Sequence, residues 1–155
     1  MILRRPERTS LRQPGLMPDG MNAVEAPASF GIRRVLDQGY EDALARVPEA
    51  LRSEGFGILT EIDVQATLKA KLGVDRPPHV ILGACNPPLA HRALEADPSV
   101  GALLPCNVVL REDGGDTIVE VMDPAAALGS VDTAGVRPVA EEARLRLERM
   151  IEALT

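Results

Sequence analysis

Leu103-Leu104-Pro105-Cys106-Asn107-Val108-Val109-Leu110-Arg111-Glu112-Asp113-Gly114-Gly115-Asp116-Thr117-Ile118-Val119-Glu120-Val121-Met122 decides the fold. Two apolar, β-branched runs flank a cluster of turn formers, Glu112 to Asp116. Such runs read as strands, Leu103 to Arg111 and Thr117 to Met122. A connection this short joins antiparallel strands only, because a parallel pair needs a crossover of about a dozen residues or more. The sheet therefore contains an antiparallel hairpin.

Downstream, Asp123-Pro124 places a capping carboxylate before a proline and predicts a short helix through Leu128. After a loop from Gly129 to Thr133, the last helix is expected from Val136 to Leu154. Val139, Ala143, Leu147, Met150, Ile151 and Leu154 form its apolar stripe, with Glu141, Glu142, Arg146 and Glu148 opposite. Upstream, Ser29 to Leu36 reads as a first strand. Tyr40 to Glu54 reads as a helix, with Tyr40, Leu44, Val47 and Leu51 on one face and Gly55 as its stop. Pro48 inside it predicts a kink or a late start. Phe56 to Ile62 is a second strand. Asp63 caps a helix from Val64 to Leu72 that Gly73 closes, and His79 to Ala84 is a third strand. Asn86 caps a helix that opens at Pro87, runs to Ala96 and is ended by Asp97-Pro98.

Strands and helices in this order, ending on a hairpin and a long amphipathic helix, make an α+β domain. Its sheet is mainly antiparallel, with helices packed on one face. No glycine-rich loop joins a strand to a helix, so the pattern is not doubly wound. Residues 1–28 carry Pro6, Pro14, Pro18 and Pro27, no hydrophobic period, and Arg4, Arg5, Arg8 and Arg12 against Glu7 and Asp19. They read as a disordered N-terminal extension, or as residues upstream of a start at Met21. A basic nucleic-acid arm is the sharper alternative. Residues 29–155 form one domain.

Composition narrows the function classes. Apolar residues are 45% and charged residues 26% of the 155, which excludes global disorder. No apolar run approaches the roughly 20 residues of a membrane span. The net charge of −6 speaks against nucleic acid as a partner. So does the near absence of aromatics: Phe30, Tyr40 and Phe56 give no stacking platform. Two cysteines and no signal-like apolar segment point to a reducing, cytoplasmic compartment.

The stretch richest in chemistry is Gly83-Ala84-Cys85-Asn86-Pro87-Pro88-Leu89-Ala90-His91. Cys85 precedes a helix N-terminus, where free N–H groups and the helix dipole favour a thiolate. His91 lies about one turn into that helix. Cys106 is likewise followed by asparagine, Asn107; if the third and fourth strands pair, or approach across a symmetry axis, the two thiols come close. Three readings stay open: a redox or sulfur-handling pair, a Cys–His nucleophile, and two small hydrophobes in a core. No C-x-x-C occurs and only two histidines exist, so no metal site and no cofactor is assigned. Glu61 and Asp63 form a carboxylate corner, read either as an acid/base pair or cation site, or as a helix cap at Asp63 with Glu61 meeting Lys69 or an arginine. An apolar edge strand around Val108 to Leu110 calls for a covering partner, hence a homodimer.

Gly55-Phe56-Gly57-Ile58-Leu59-Thr60-Glu61-Ile62-Asp63, Leu82-Gly83-Ala84-Cys85-Asn86-Pro87 and Leu104-Pro105-Cys106-Asn107-Val108 together resemble the signature of the domain of unknown function 302 family. The resemblance covers roughly Ser29 to Thr155. It implies a small α+β domain, like a single copy of the TATA-binding-protein fold, that forms homodimers. It carries no activity, and such a fold does not imply DNA binding. It directs attention to Cys85, Asn86, Pro87, Cys106 and Asn107. Pro48 departs from its expected pattern, and residues 1–28 have no counterpart. The leading expectation is a cysteine-containing pocket that binds a small ligand or handles sulfur, with Cys85, Cys106, Asn86, Asn107, His91 and Glu61 as candidate residues. The alternatives are a thiol- or metal-dependent enzyme using Cys85 and His91, and an interaction module with packing cysteines.

Overall fold

The computed structural model describes residues 30–155, so the expectation for residues 1–28 lies outside the described residues. The chain runs β1 (Gly31–Leu36), α1 (Tyr40–Ser53), β2 (Gly57–Asp63), α2 (Val64–Leu72), β3 (His79–Cys85) and α3 (Pro87–Ala96). A 3-10 turn (Pro98–Leu103) leads to β4 (Cys106–Asp113), β5 (Asp116–Met122), α4 (Pro124–Leu128) and α5 (Val136–Glu152). The five strands form one sheet in the order β1-β5-β4-β3-β2, every neighbour antiparallel. The mainly antiparallel α+β architecture read from the sequence is the one observed.

Register explains which residues are buried. Ile32, Val121, Val108 and Leu82 lie in one row across the sheet, and Arg34, Val119, Leu110 and Val80 in the next. All except Arg34 join the core with Val47 and Leu51 of α1, Leu89 and Ala93 of α3, and Val139, Leu147 and Met150 of α5. Strand side chains alternate between faces, so Arg33, Glu120, Val109, Ile81 and Ile62 form a row on the opposite face. There Ile62 is 49% exposed. α2 buries none of its residues.

β4 sits third of five and pairs on both sides. This corrects the expectation of an exposed edge at Val108 to Leu110. The long hydrophobic run is an interior strand, and the edges are β1 and β2. The strand also starts later than predicted, at Cys106, because residues 98–103 form the 3-10 turn; the Leu104-Pro105 bond is cis. α1 begins at Tyr40 and runs through Pro48, so the late start is not seen. α5 ends at Glu152, two residues short of the predicted end. The caps are as expected: Asp63 accepts from Ala66 N, Asn86 from Leu89 N and Asp123 from Ala125 N. Gly114 and Gly115, at φ +61° and +93°, turn the hairpin.

Two features missed in the sequence fix α5. Arg34, buried on the core side of β1, donates from Nη1 to the Ile151 carbonyl at 3.0 Å. Gln38 donates to the Leu154 carbonyl at 3.1 Å, and Arg46 donates to Gln38 Oε1 at 2.7 Å. Cationic donors at a helix C-terminus satisfy its last carbonyls and oppose its dipole.

Gly55 follows α1 at φ +83°, and a Cβ there would come within 2.8 Å of Asn86 Nδ2. Gly55→Ala is expected to lower stability by about 1–2 kcal/mol, since the left-handed conformation penalises any Cβ. Calorimetry would show a lower Tm; an unchanged or higher Tm refutes this account.

Candidate functional site

Ala84 of β3 lies directly opposite Cys106 of β4, which places Cys85 beside that pair at the strand end. The chain then turns at Asn86 into α3. Asn86 is buried, and its Oδ1 accepts from Leu89 N at 3.2 Å. This corner meets α4 and α5 around a small cavity of about 30 Å³. Both cysteines line it, with Asn86, Phe56, Leu89, Leu104, Pro124, Leu128, Val139 and five alanines: Ala84, Ala90, Ala93, Ala140 and Ala143. Alanines contributed by β3, α3 and α5 leave the gap, because none has a side chain long enough to close it.

Cys106 is 8% exposed and sits on the floor, whereas Cys85 is half-buried. Burial, and then the nearby Cys85, pushes the Cys106 thiol up to about 11. Burial pushes the Cys85 thiol up as well. This corrects the expectation of a stabilised thiolate at Cys85. The N-terminus of α3 is adjacent, but desolvation by apolar walls outweighs it. Both groups are neutral thiols at neutral pH.

The other candidates fall elsewhere. His91 is on the exposed side of α3 and does not line the cavity. Asn107 stands opposite Gly83 on the other sheet face, where it lines a separate groove with Phe30, Val109, Glu120 and Met122. Glu61 is exposed on β2. Its expected contact with Lys69 is not formed, since Lys69 pairs with Asp75 at 2.7 Å. Burial, then the charges of Asp63, Glu41 and Glu61, raises the Tyr40 phenol. The structure thus brings together Cys85, Cys106 and Asn86, and separates Asn107, His91 and Glu61 from them. The alanines were the missed signal. Their spacing on α3 (Ala90, Ala93) and α5 (Ala140, Ala143) marks one facing stripe on each helix. Among the described residues no group of three His, Cys, Asp or Glu side chains is placed to hold a metal, and no helix is long and apolar enough to cross a membrane.

The family described as "Domain of unknown function DUF302" matches residues 32–154. No curated protein matches the chain. Among solved structures, the crystal structure of an uncharacterized conserved DUF302 protein from Bacillus stearothermophilus is similar, with a TM-score of 0.77 and 30% identity. The match covers 83% of this chain and 100% of that one.

Proposed function

We propose, for a chain that belongs to the DUF302 family, that the domain is a binding module whose thiol-bearing cavity takes a small apolar or sulfur-containing ligand. One observation carries this: among the described residues, two neutral thiols and a capping amide are the only polar side chains in an otherwise apolar lining. Ligand sites are mostly apolar with a few placed polar groups. The size limits the ligand. A water needs about 10–15 Å³, so the cavity admits roughly two or three such atoms and nothing of drug size unless α3 moves away from α5. His91 being exposed supports binding over Cys–His catalysis. The free thiols suit a reducing, cytoplasmic setting.

Xenon tests the cavity directly. Under xenon pressure, methyl resonances of Ala84, Ala93, Ala140 and Leu89 are expected to shift, while those on the far sheet face stay still. Ala140→Leu fills the space and abolishes the shifts. Resonances that do not respond, or respond equally in Ala140→Leu, overturn the reading.

We propose further that two copies associate through the face opposite the helices, where Ile62, Ile81 and Val109 form a continuous apolar run across three strands. Sedimentation at micromolar concentration is expected to give twice the chain mass, and Val109→Lys to give the chain mass. A monomer in the unmodified protein refutes the association.

A further inference from the structure

The cavity has a buried thiol and a half-buried thiol, and its inner free volume holds no more than a few atoms the size of a water oxygen. That combination is specific. The pocket is half open to solvent, its inner space is too small for an organic ligand, and a hydrated ion has no polar shell there. A single added sulfur does fit, because it is compact, polarizable and a weak hydrogen-bond acceptor, as a thioether sulfur is in a core.

Resting on the reading of this cavity as a ligand site, we propose that its occupant is one sulfane sulfur atom, held as a persulfide on Cys85. The donor is a low-molecular-weight persulfide. Cys85, half-buried and open to the donor, attacks the outer sulfur of R–S–SH through the minor fraction that is deprotonated; the donor's S–S bond breaks as the Cys85 Sγ–S bond forms. The donor leaves as a thiolate and takes up the proton Cys85 released. Cys85–SH and R–S–SH thus become Cys85–S–SH and R–SH, and no external oxidant is consumed. Persulfidation is a reversible modification of this kind. The surroundings favour holding the sulfur over discharging it. Discharge needs a second thiolate, and Cys106, buried on the floor, is kept protonated. Phe56, Leu89 and Val139 line the apolar space around the held sulfur.

The test is incubation of the whole protein with glutathione persulfide without oxygen, followed by intact and peptide mass spectrometry. The expected result is the gain of one sulfur atom on the peptide bearing Cys85, with Cys106 unmodified, and loss of that gain in Cys85→Ala. In Ala140→Leu the cavity is filled, and the sulfur is expected to be lost while iodoacetamide still labels Cys85. Sulfur retained equally in Ala140→Leu overturns the proposal, as does glutathione itself bound to Cys85 or a Cys85–Cys106 disulfide as the stable product. Xenon uptake without sulfur gain sinks this inference and leaves the cavity reading standing; absence of both sinks both.

Discussion

Arg34→Ala is expected to lower the unfolding free energy by about 2–4 kcal/mol, most of it from lost packing and only a minor part from lost charge. Arg34 occupies a core-facing position of β1, between Ile32 and Leu36, where every other strand residue of its row is aliphatic or valine. Its stem fills space beneath the last turn of α5. Its guanidinium makes one hydrogen bond, to the Ile151 carbonyl, and that carbonyl also accepts from Leu154 N at 3.2 Å. Removing the charge therefore does not orphan the carbonyl. The Nε has no hydrogen-bond partner among the described residues, so burial of this cation is only partly compensated. Replacing a buried ionic group by an apolar one of similar volume is often neutral. Arg34→Met is accordingly expected to fall within about 1 kcal/mol of the unmodified protein. Urea titration of both variants decides the matter. Equal losses in Arg34→Ala and Arg34→Met would show that the charge at the helix terminus, and not the stem, holds α5 down.

Arg34 also shows where sequence reading ends. Alternation made Ile32 and Leu36 core residues, and the same alternation puts position 34 in the core. An arginine there reads as exposed until the C-terminus of α5 is known to lie over it. Local signals were strong wherever a short side chain meets its own backbone, as at Asp63, Asn86 and Asp123, because such contacts span two or three residues. Strand order was not legible. The apolar run Val108 to Leu110 suits an interior strand as well as an edge, and only the long-range pairing with β3 and β5 distinguishes them. The site was half legible. Cys85 and Cys106 come together because β3 and β4 pair, a condition the sequence left open since α3 and the 3-10 turn separate the two strands. Asn107 departs from Cys106 because neighbours on a strand point to opposite faces. The thiolate expectation failed for a physical reason: a helix N-terminus is visible in sequence, but the apolar walls that α4 and α5 bring over the thiols are not.

Those walls set the strongest pH dependence expected of this protein. The Cys106 thiol lies near 11, against 9.0 for an ordinary thiol. A group whose folded value is raised contributes stability that is complete below the unfolded value and is lost as the pH rises through the folded one. Stability is therefore expected to be flat with respect to Cys106 up to about pH 9, then to fall by about 3 kcal/mol by the time the pH passes 11, at 1.36 kcal/mol per unit. Cys85 and Tyr40 are also raised and add to the fall in the same direction. A variant isolates the floor thiol from these. Cys106→Ala is expected to cost about 1–2 kcal/mol near neutrality, an ordinary core loss. It removes the Cys106 share of the alkaline slope, so the difference between the two proteins closes above pH 9 and reverses near pH 11. Denaturant titrations at neutral and alkaline pH measure both quantities. Parallel curves would mean that Cys106 ionises as freely in the folded protein as in the unfolded chain. The cavity would then be open to water, and the apolar shelter on which ligand and sulfur binding depend would not exist.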